Sequence, residues 1–360
     1  MRTLALVLAA SVLACAAPQA AAPAAHEQRV RPGHAQRRAQ IDRAVTQAER
    51  RVAKTRSWML HAELAAALLA RADLDGRYED YARVEAELDA AFALAGPGLG
   101  PHLLRARFEL RMHRVDAGVR SLQALTQQAE LDAETDMARR GLLADVAVGA
   151  GRLDEAQAAI TALLQARRSP ADLARQAHLL HLREDDAAAD ALYAEAISKA
   201  DDGETQAWLE LQRGLLDLDA ERYDDAAAHY QAADAMFPDW WLVHEHLAEV
   251  DALRGHTDAA IERYREVVAD NRDPELLDAL ARLLEPRDPQ AAAQLHDEAR
   301  ASFEARLARF PEASYGHAFE HFFAAPDGAA RALALAQANA VVRPGPDAQA
   351  LLARARARPR

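Results

Sequence analysis

The string His317-Ala318-Phe319-Glu320-His321 holds the residues closest to chemistry in this chain. Two histidines four apart share one face of a helix, as a tetrahedral zinc site needs. A metal-assisted hydrolase built on His317, Glu320 and His321 is therefore one reading. Metal held without catalysis by His317 and His321 is another. His244-Glu245-His246 makes no such pair, because residues two apart lie on different sides of a helix. The chain has no phosphate-cradling glycine loop, no cysteine nucleophile and no serine elbow. The main reading is accordingly a non-catalytic scaffold with no cofactor, and a structural assembly subunit is a further alternative.

The elements that must position these residues are helices. Hydrophobic residues make up 51% of the chain and aromatic ones only 5%, and no segment alternates with period two over a useful length. Gly214, Ala226, Tyr230, Ala233 and Pro238 mark fixed stations. Ala248, Ala260, Tyr264 and Val267 follow 34 residues after the first four, and Pro274 closes the unit. A pair of short helices can bury its apolar stripe only against the next pair, so such units must stack. Gly214 with Ala226, and Ala248 with Ala260, let the two axes of a pair approach, while Tyr230 and Tyr264 fill the space between neighbouring pairs. The small residue of each second helix, or its stand-in, recurs at Tyr81, Gly118, Ala156, Ala189, Ala226, Ala260, Ala299 and Ala332. Ser169-Pro170 and Asp273-Pro274 place a capping side chain before a proline at the first helical position, and Gly255 breaks its pair in the middle.

On these stations the chain resembles the tetratricopeptide repeat family over about residues 57–345, strictly in the two central copies and loosely outside them. The resemblance implies an all-α fold: an α-solenoid of about eight helical hairpins, wound as a right-handed superhelix with a concave groove, each hairpin touching only its neighbours. It also implies that the first helix of each hairpin lines the groove. Helical spacing then picks out Trp208, Leu211, Leu215 and Leu218, an apolar strip, and Leu242, Glu245, Glu249 and Ala252 from the next copy. Ala171, Ala174, His178 and His181 follow with Arg175 alongside, and Ser314, His317, His321 and Ala324 come from the last hairpin. Arg107 and Arg111 lie near the same face, and His246 is counted with it. The expected groove has mixed charge and an apolar centre, suited to a peptide or protein segment whose identity the sequence does not give. It lacks the inner asparagines and lysines with which relatives clamp a terminal carboxylate. The string 317–321 resembles, in turn, the inverted zinc motif of a peptidase family. That family takes a further glutamate from downstream, and no glutamate follows Glu320 here.

The start of the chain reads as an export signal. Residues 1–14 carry one early charge, Arg2, then an uncharged run too short to span a bilayer. Val12-Leu13-Ala14-Cys15 resembles the lipobox of bacterial lipoproteins, which makes Cys15 the acylated residue, and Ala16 after it implies the outer membrane. Cleavage in the alanine run 20–25 is the alternative and would give a soluble periplasmic or secreted protein. Cys15 is the single cysteine, so a disulfide within the chain is excluded. Residues 15–39 read as an Ala/Pro-rich tether, 40–345 as the repeat domain, and 346–360 as a solvated capping helix fraying into a basic tail. From His26 to Arg56 nine Arg or Lys residues face three carboxylates, which suits a solvated first helix. The net charge of −13 and pI near 5.5 argue against nucleic acid as a partner.

Overall fold

The computed structural model describes residues 33–127 and 131–358, and among them every regular element is a helix. Calls on residues 1–32, including the signal peptide and Cys15, lie outside the described residues. Helix α1 (His34–Lys54) comes first. Four pairs follow: α2 (Trp58–Asp75) with α3 (Tyr78–Leu94), α4 (His102–Arg111) with α5 (Val115–Thr126), α6 (Ala133–Gly149) with α7 (Leu153–Ala166), and α8 (Pro170–His181) with α9 (Asp186–Lys199). Four more complete the array: α10 (Gly203–Asp219) with α11 (Tyr223–Met236), α12 (Trp241–Leu253) with α13 (Thr257–Asp270), α14 (Pro274–Leu284) with α15 (Pro289–Arg309), and α16 (Pro311–Ala324) with α17 (Ala329–Val342). Helix α18 (Pro346–Ala357) closes it. The fold is an all-α helical repeat.

Local chemistry sets the element boundaries. The Ser169 hydroxyl accepts from the Asp172 N–H ahead of Pro170, and the Asp273 carboxylate accepts from the Glu275 N–H ahead of Pro274, so both caps form where the sequence puts them. The turns inside the pairs share one geometry. Gly76, His113, Gly151, Glu184, Glu221 and Gly255 each stand two residues before a second helix, with φ of 68°, 55°, 71°, 65°, 58° and 81°. After five of these six left-handed residues, the next N–H reaches back five residues to a carbonyl, as in Arg222 to Asp217 at 2.8 Å and His256 to Asp251 at 2.8 Å. That is the Schellman closure of a helix end.

The repeat stations fit this frame with one correction. Tyr81, Gly118, Ala156, Ala189, Ala226, Ala260 and Ala332 are each the fourth residue of a second helix, but the fourth residue of α15 is Ala292, not Ala299. Helix α15 has 21 residues, and a slip of seven is two helical turns, so Ala299 occupies the same buried face further along.

The chain divides into two compact units. Unit 1 holds Gln157–Arg263 together with the described residues up to Arg37. Its first core cluster joins Leu173, Ala174 and Ala177 of α8 to Ala189, Tyr193 and Ala196 of α9 and to Leu209 and Leu216 of α10. Further along, the Tyr230 ring lies against Gly214, where an added Cβ would meet its Cε1 at 2.3 Å. Tyr230 thus packs inside its own pair rather than only between pairs. The tether boundary also shifts, since residues 34–39 are helical. The His34 N–H donates to the Pro238 carbonyl at 2.9 Å, and Arg37 pairs with Glu204 at 2.8 Å.

Unit 2 holds Arg38–Ala156 and Tyr264–Arg360, and here the nearest-neighbour expectation fails. Phe310, between α15 and α16, is buried with its ring 6.1 Å from Tyr78 and 6.4 Å from Phe108. The Arg306 guanidinium lies 4.0 Å over the Tyr78 ring, and the His113 Nδ1 is 3.2 Å from the Glu312 carbonyl. Early pairs therefore close on late ones, with Tyr78 of α3 and Phe108 of α4 both meeting Phe310. The C-terminus is also more ordered than a frayed tail: α18 packs on α16 and α17, Arg354 forks onto Glu320 at 2.6 and 3.0 Å, and Arg358 donates to the carbonyls of Phe322, Phe323 and Ala325.

Candidate functional site

The first helices carry the residues that the spacing selects, and in unit 1 they fall into two groups. Half-buried side chains form the first: His178 on α8, Trp208 and Leu215 on α10, and Leu242 on α12. Trp208 packs on the α8–α10 core cluster with part of its indole exposed. The second group is buried and serves the fold. Leu211 is fully buried. Arg175 donates to Asp172 at 3.1 Å, and Asp172, itself fully buried, also takes Arg167 at 2.8 Å. A buried carboxylate of that kind must be neutralised, and Arg175 is one of the groups that does it.

Glu245, His246 and Glu249 on α12 are buried as well, which corrects their placement on an open wall. Both carboxylates reach the His246 Nδ1, at 3.2 and 3.3 Å, and the imidazole stacks on Tyr230 with centroids 5.2 Å apart. Burial works to lower the His246 pKa, but the charge of Glu245 and the hydrogen bond to Glu249 outweigh it, so the ring is raised from its ordinary value. His181 reaches Asp219 at 3.4 Å and Asp186 at 2.7 Å. Chiefly through Asp219, its pKa is pushed up to about 9.

Unit 2 distributes its candidates differently. Arg111 donates to Asp73 at 2.7 Å, and the Tyr81 hydroxyl meets the same oxygen at 2.9 Å; Arg107 is half-buried. His317 lies against Glu275 of α14, 3.1 and 3.2 Å from its two oxygens. His321 faces Asp278 instead, with Nδ1 2.7 Å from Oδ2, while Glu320 turns to Arg354. The members of the 317–321 string thus go to three separate partners, and they assemble no shared centre. A cavity of about 350 Å³ opens elsewhere in unit 2, lined by Phe92, His102, Arg105, Glu109 and Arg120 among others.

The packing stations Ala226, Ala248, Ala260 and Tyr264 are buried, as are Gly214 and Tyr230. Sequence reasoning missed Asp73, Glu275 and Asp278, the carboxylates that hold Arg111, His317 and His321. Nothing in their local spacing marks them, since each is selected by a partner on another helix. Among the described residues, no helix is long and apolar enough to cross a membrane.

The tetratricopeptide repeat family model matches residues 217–283. No curated protein matches the chain. Among solved structures, it is similar to the APC/C hetero-tetramer Cut9-Hcn1, at 12% identity over 81% of this chain and 55% of that one, with a TM-score of 0.47. It therefore spans about half the length of that relative. It is also similar to Pseudomonas aeruginosa pilF, at 18% identity, 60% and 96% coverage and a TM-score of 0.41. A tetratricopeptide repeat protein from Parabacteroides merdae matches at 16% identity, 71% and 97% coverage and a TM-score of 0.43.

Proposed function

We propose that the chain is a non-catalytic protein-interaction scaffold that holds an extended peptide or protein segment against the first helices of its repeats. The observation that carries this reading is the tetratricopeptide match over residues 217–283 together with the row of half-buried residues His178, Trp208, Leu215 and Leu242 on α8, α10 and α12. Half-buried apolar side chains such as Trp208, Leu215 and Leu242 gain on being covered, at roughly 25 cal/mol per Å². The lipobox-like residues 12–15 support a place at the bacterial cell envelope, with Cys15 as the lipid anchor and the outer membrane as the destination. The anionic body supports a protein partner over a nucleic acid.

Site-specific photo-crosslinking tests the binding face. A crosslinker at Leu215 or Leu242 is expected to capture a defined partner, whereas one at exposed Ala228 or Gln231 on α11 is not. Equal capture from both faces would sink the proposal. The anchor is tested by Cys15→Ser, which should move the protein from the membrane fraction to the soluble one.

A further inference from the structure

Three ligand-type side chains from three successive helices converge in unit 2. Asp278 of α14 places Oδ1 2.8 Å from the His296 Nδ1 of α15 and Oδ2 2.7 Å from the His321 Nδ1 of α16. Their ligand atoms all lie within 4.8 Å of one another. We propose that Asp278, His296 and His321 form a binding site for a divalent transition-metal ion of the zinc class.

Four features support the assignment. Donors bound to one tetrahedral zinc stand about 3.3 Å apart, given metal–ligand bonds near 2.0–2.1 Å, so small side-chain adjustments bring these three into place. Two imidazoles with one carboxylate are the ligands of zinc, cobalt or nickel, whereas calcium and magnesium take oxygen throughout. The other ring nitrogen of His296 lies 3.0 Å from Glu285 Oε1, which is the outer carboxylate that orients a metal-bound imidazole. Finally, the His321 Nε2 is buried without a hydrogen-bond partner, although the ring is only 8% exposed. That nitrogen is an unmet polar atom on one of the three residues.

The surroundings suit an ion. The rings of Phe303 and Phe322 stand 5.3 and 4.9 Å from that of His321 and wall the inner side with apolar surface. His296 is half-buried, which leaves an entry path and room for a water as fourth ligand. By contrast, Glu245, His246 and Glu249 sit on one helix, all buried, with no such path. The proposed centre shares His321 with the 317–321 string but neither His317 nor Glu320. Its effect would be to pin α14, α15 and α16 together.

The test uses the full mature chain, stripped with a chelator and titrated with Co²⁺ and Zn²⁺ by calorimetry and visible absorption. One ion per chain is expected, with ligand-field bands of a four-coordinate cobalt and a raised Tm. Glu285→Gln should weaken binding on the order of tenfold, and His296→Gln, which removes a ligand outright, by more. Asp278→Asn repeats the test from the carboxylate side with little change of shape. His317→Gln should leave affinity unchanged. Absence of binding, retention of wild-type affinity in His296→Gln or Asp278→Asn, or an equal loss in His317→Gln would each overturn the proposal.

Discussion

Phe310 and Phe108 meet edge to face, ring centroids 6.4 Å apart, although they belong to hairpins far apart in the chain. Tyr78 and the guanidinium groups of Arg114 and Arg309 complete the shell around Phe310. In a stack of hairpins most contacts join neighbours. Here one aromatic residue ties early hairpins to late ones within a single unit. Phe310→Ala should therefore cost about 3–5 kcal/mol, the usual range for emptying a buried aromatic site. Urea unfolding measures it, and a loss under about 1 kcal/mol would show that the closure contributes little.

The turn residues make a second prediction. Glu184 and Glu221 adopt the left-handed conformation that glycine adopts at Gly151 and Gly255. A side chain there costs roughly 1–2 kcal/mol, less the extra chain entropy that glycine carries when unfolded. Glu221→Gly should accordingly raise stability by up to about 1 kcal/mol, and Gly255→Ala should lower it by a similar amount. Paired urea midpoints check both signs.

Gly214 supplies a third. A methyl group there would overlap the Tyr230 ring, so Gly214→Ala should cost about 1–3 kcal/mol by overpacking. Adding Tyr230→Leu should recover part of that loss, because the clash and its partner disappear together. A double-mutant cycle with no coupling would rule out this contact as the reason for glycine.

The dependence on pH has two arms. His181, held by Asp219 and Asp186, has a folded pKa of about 9 against the ordinary 6.5. Its contribution is fully present below pH 6.5 and is lost as pH rises through 9. The stability gap between the wild type and His181→Gln should thus be wide at pH 6 and narrow at pH 10. His113 runs the other way: burial, then the charge of Arg343, lower its pKa to about 3. The unfolded chain then binds the extra proton, so stability falls as pH drops below 6.5. His113→Asn, which tolerates the left-handed turn, should flatten that acid arm.

Much of the fold can be read from single residues, while the site cannot. The stations from Tyr81 to Ala332 are legible because a helix-pair turn fixes where a small or packing residue must fall, and the two proline caps are legible for the same local reason. Ala299 misleads because two helical turns preserve a face, so periodicity alone cannot tell it from Ala292. Glu245 and Glu249 also sit where spacing puts them on their helix, but spacing says nothing about what covers that face. The pairing of His321 with Asp278, and of Phe310 with Phe108, depends on how helices distant in sequence come together. Helical register carries no record of that.

The discontinuity of unit 2 bears on how a ribosome delivers this protein. At roughly 5–20 residues per second, Phe108 emerges some ten to forty seconds before Phe310. For roughly half of that interval the chain being made is unit 1, and Tyr78 and Phe108 wait without the Phe310 ring that packs against them. Slowing translation after residue 156 should therefore lengthen the exposure of those two rings.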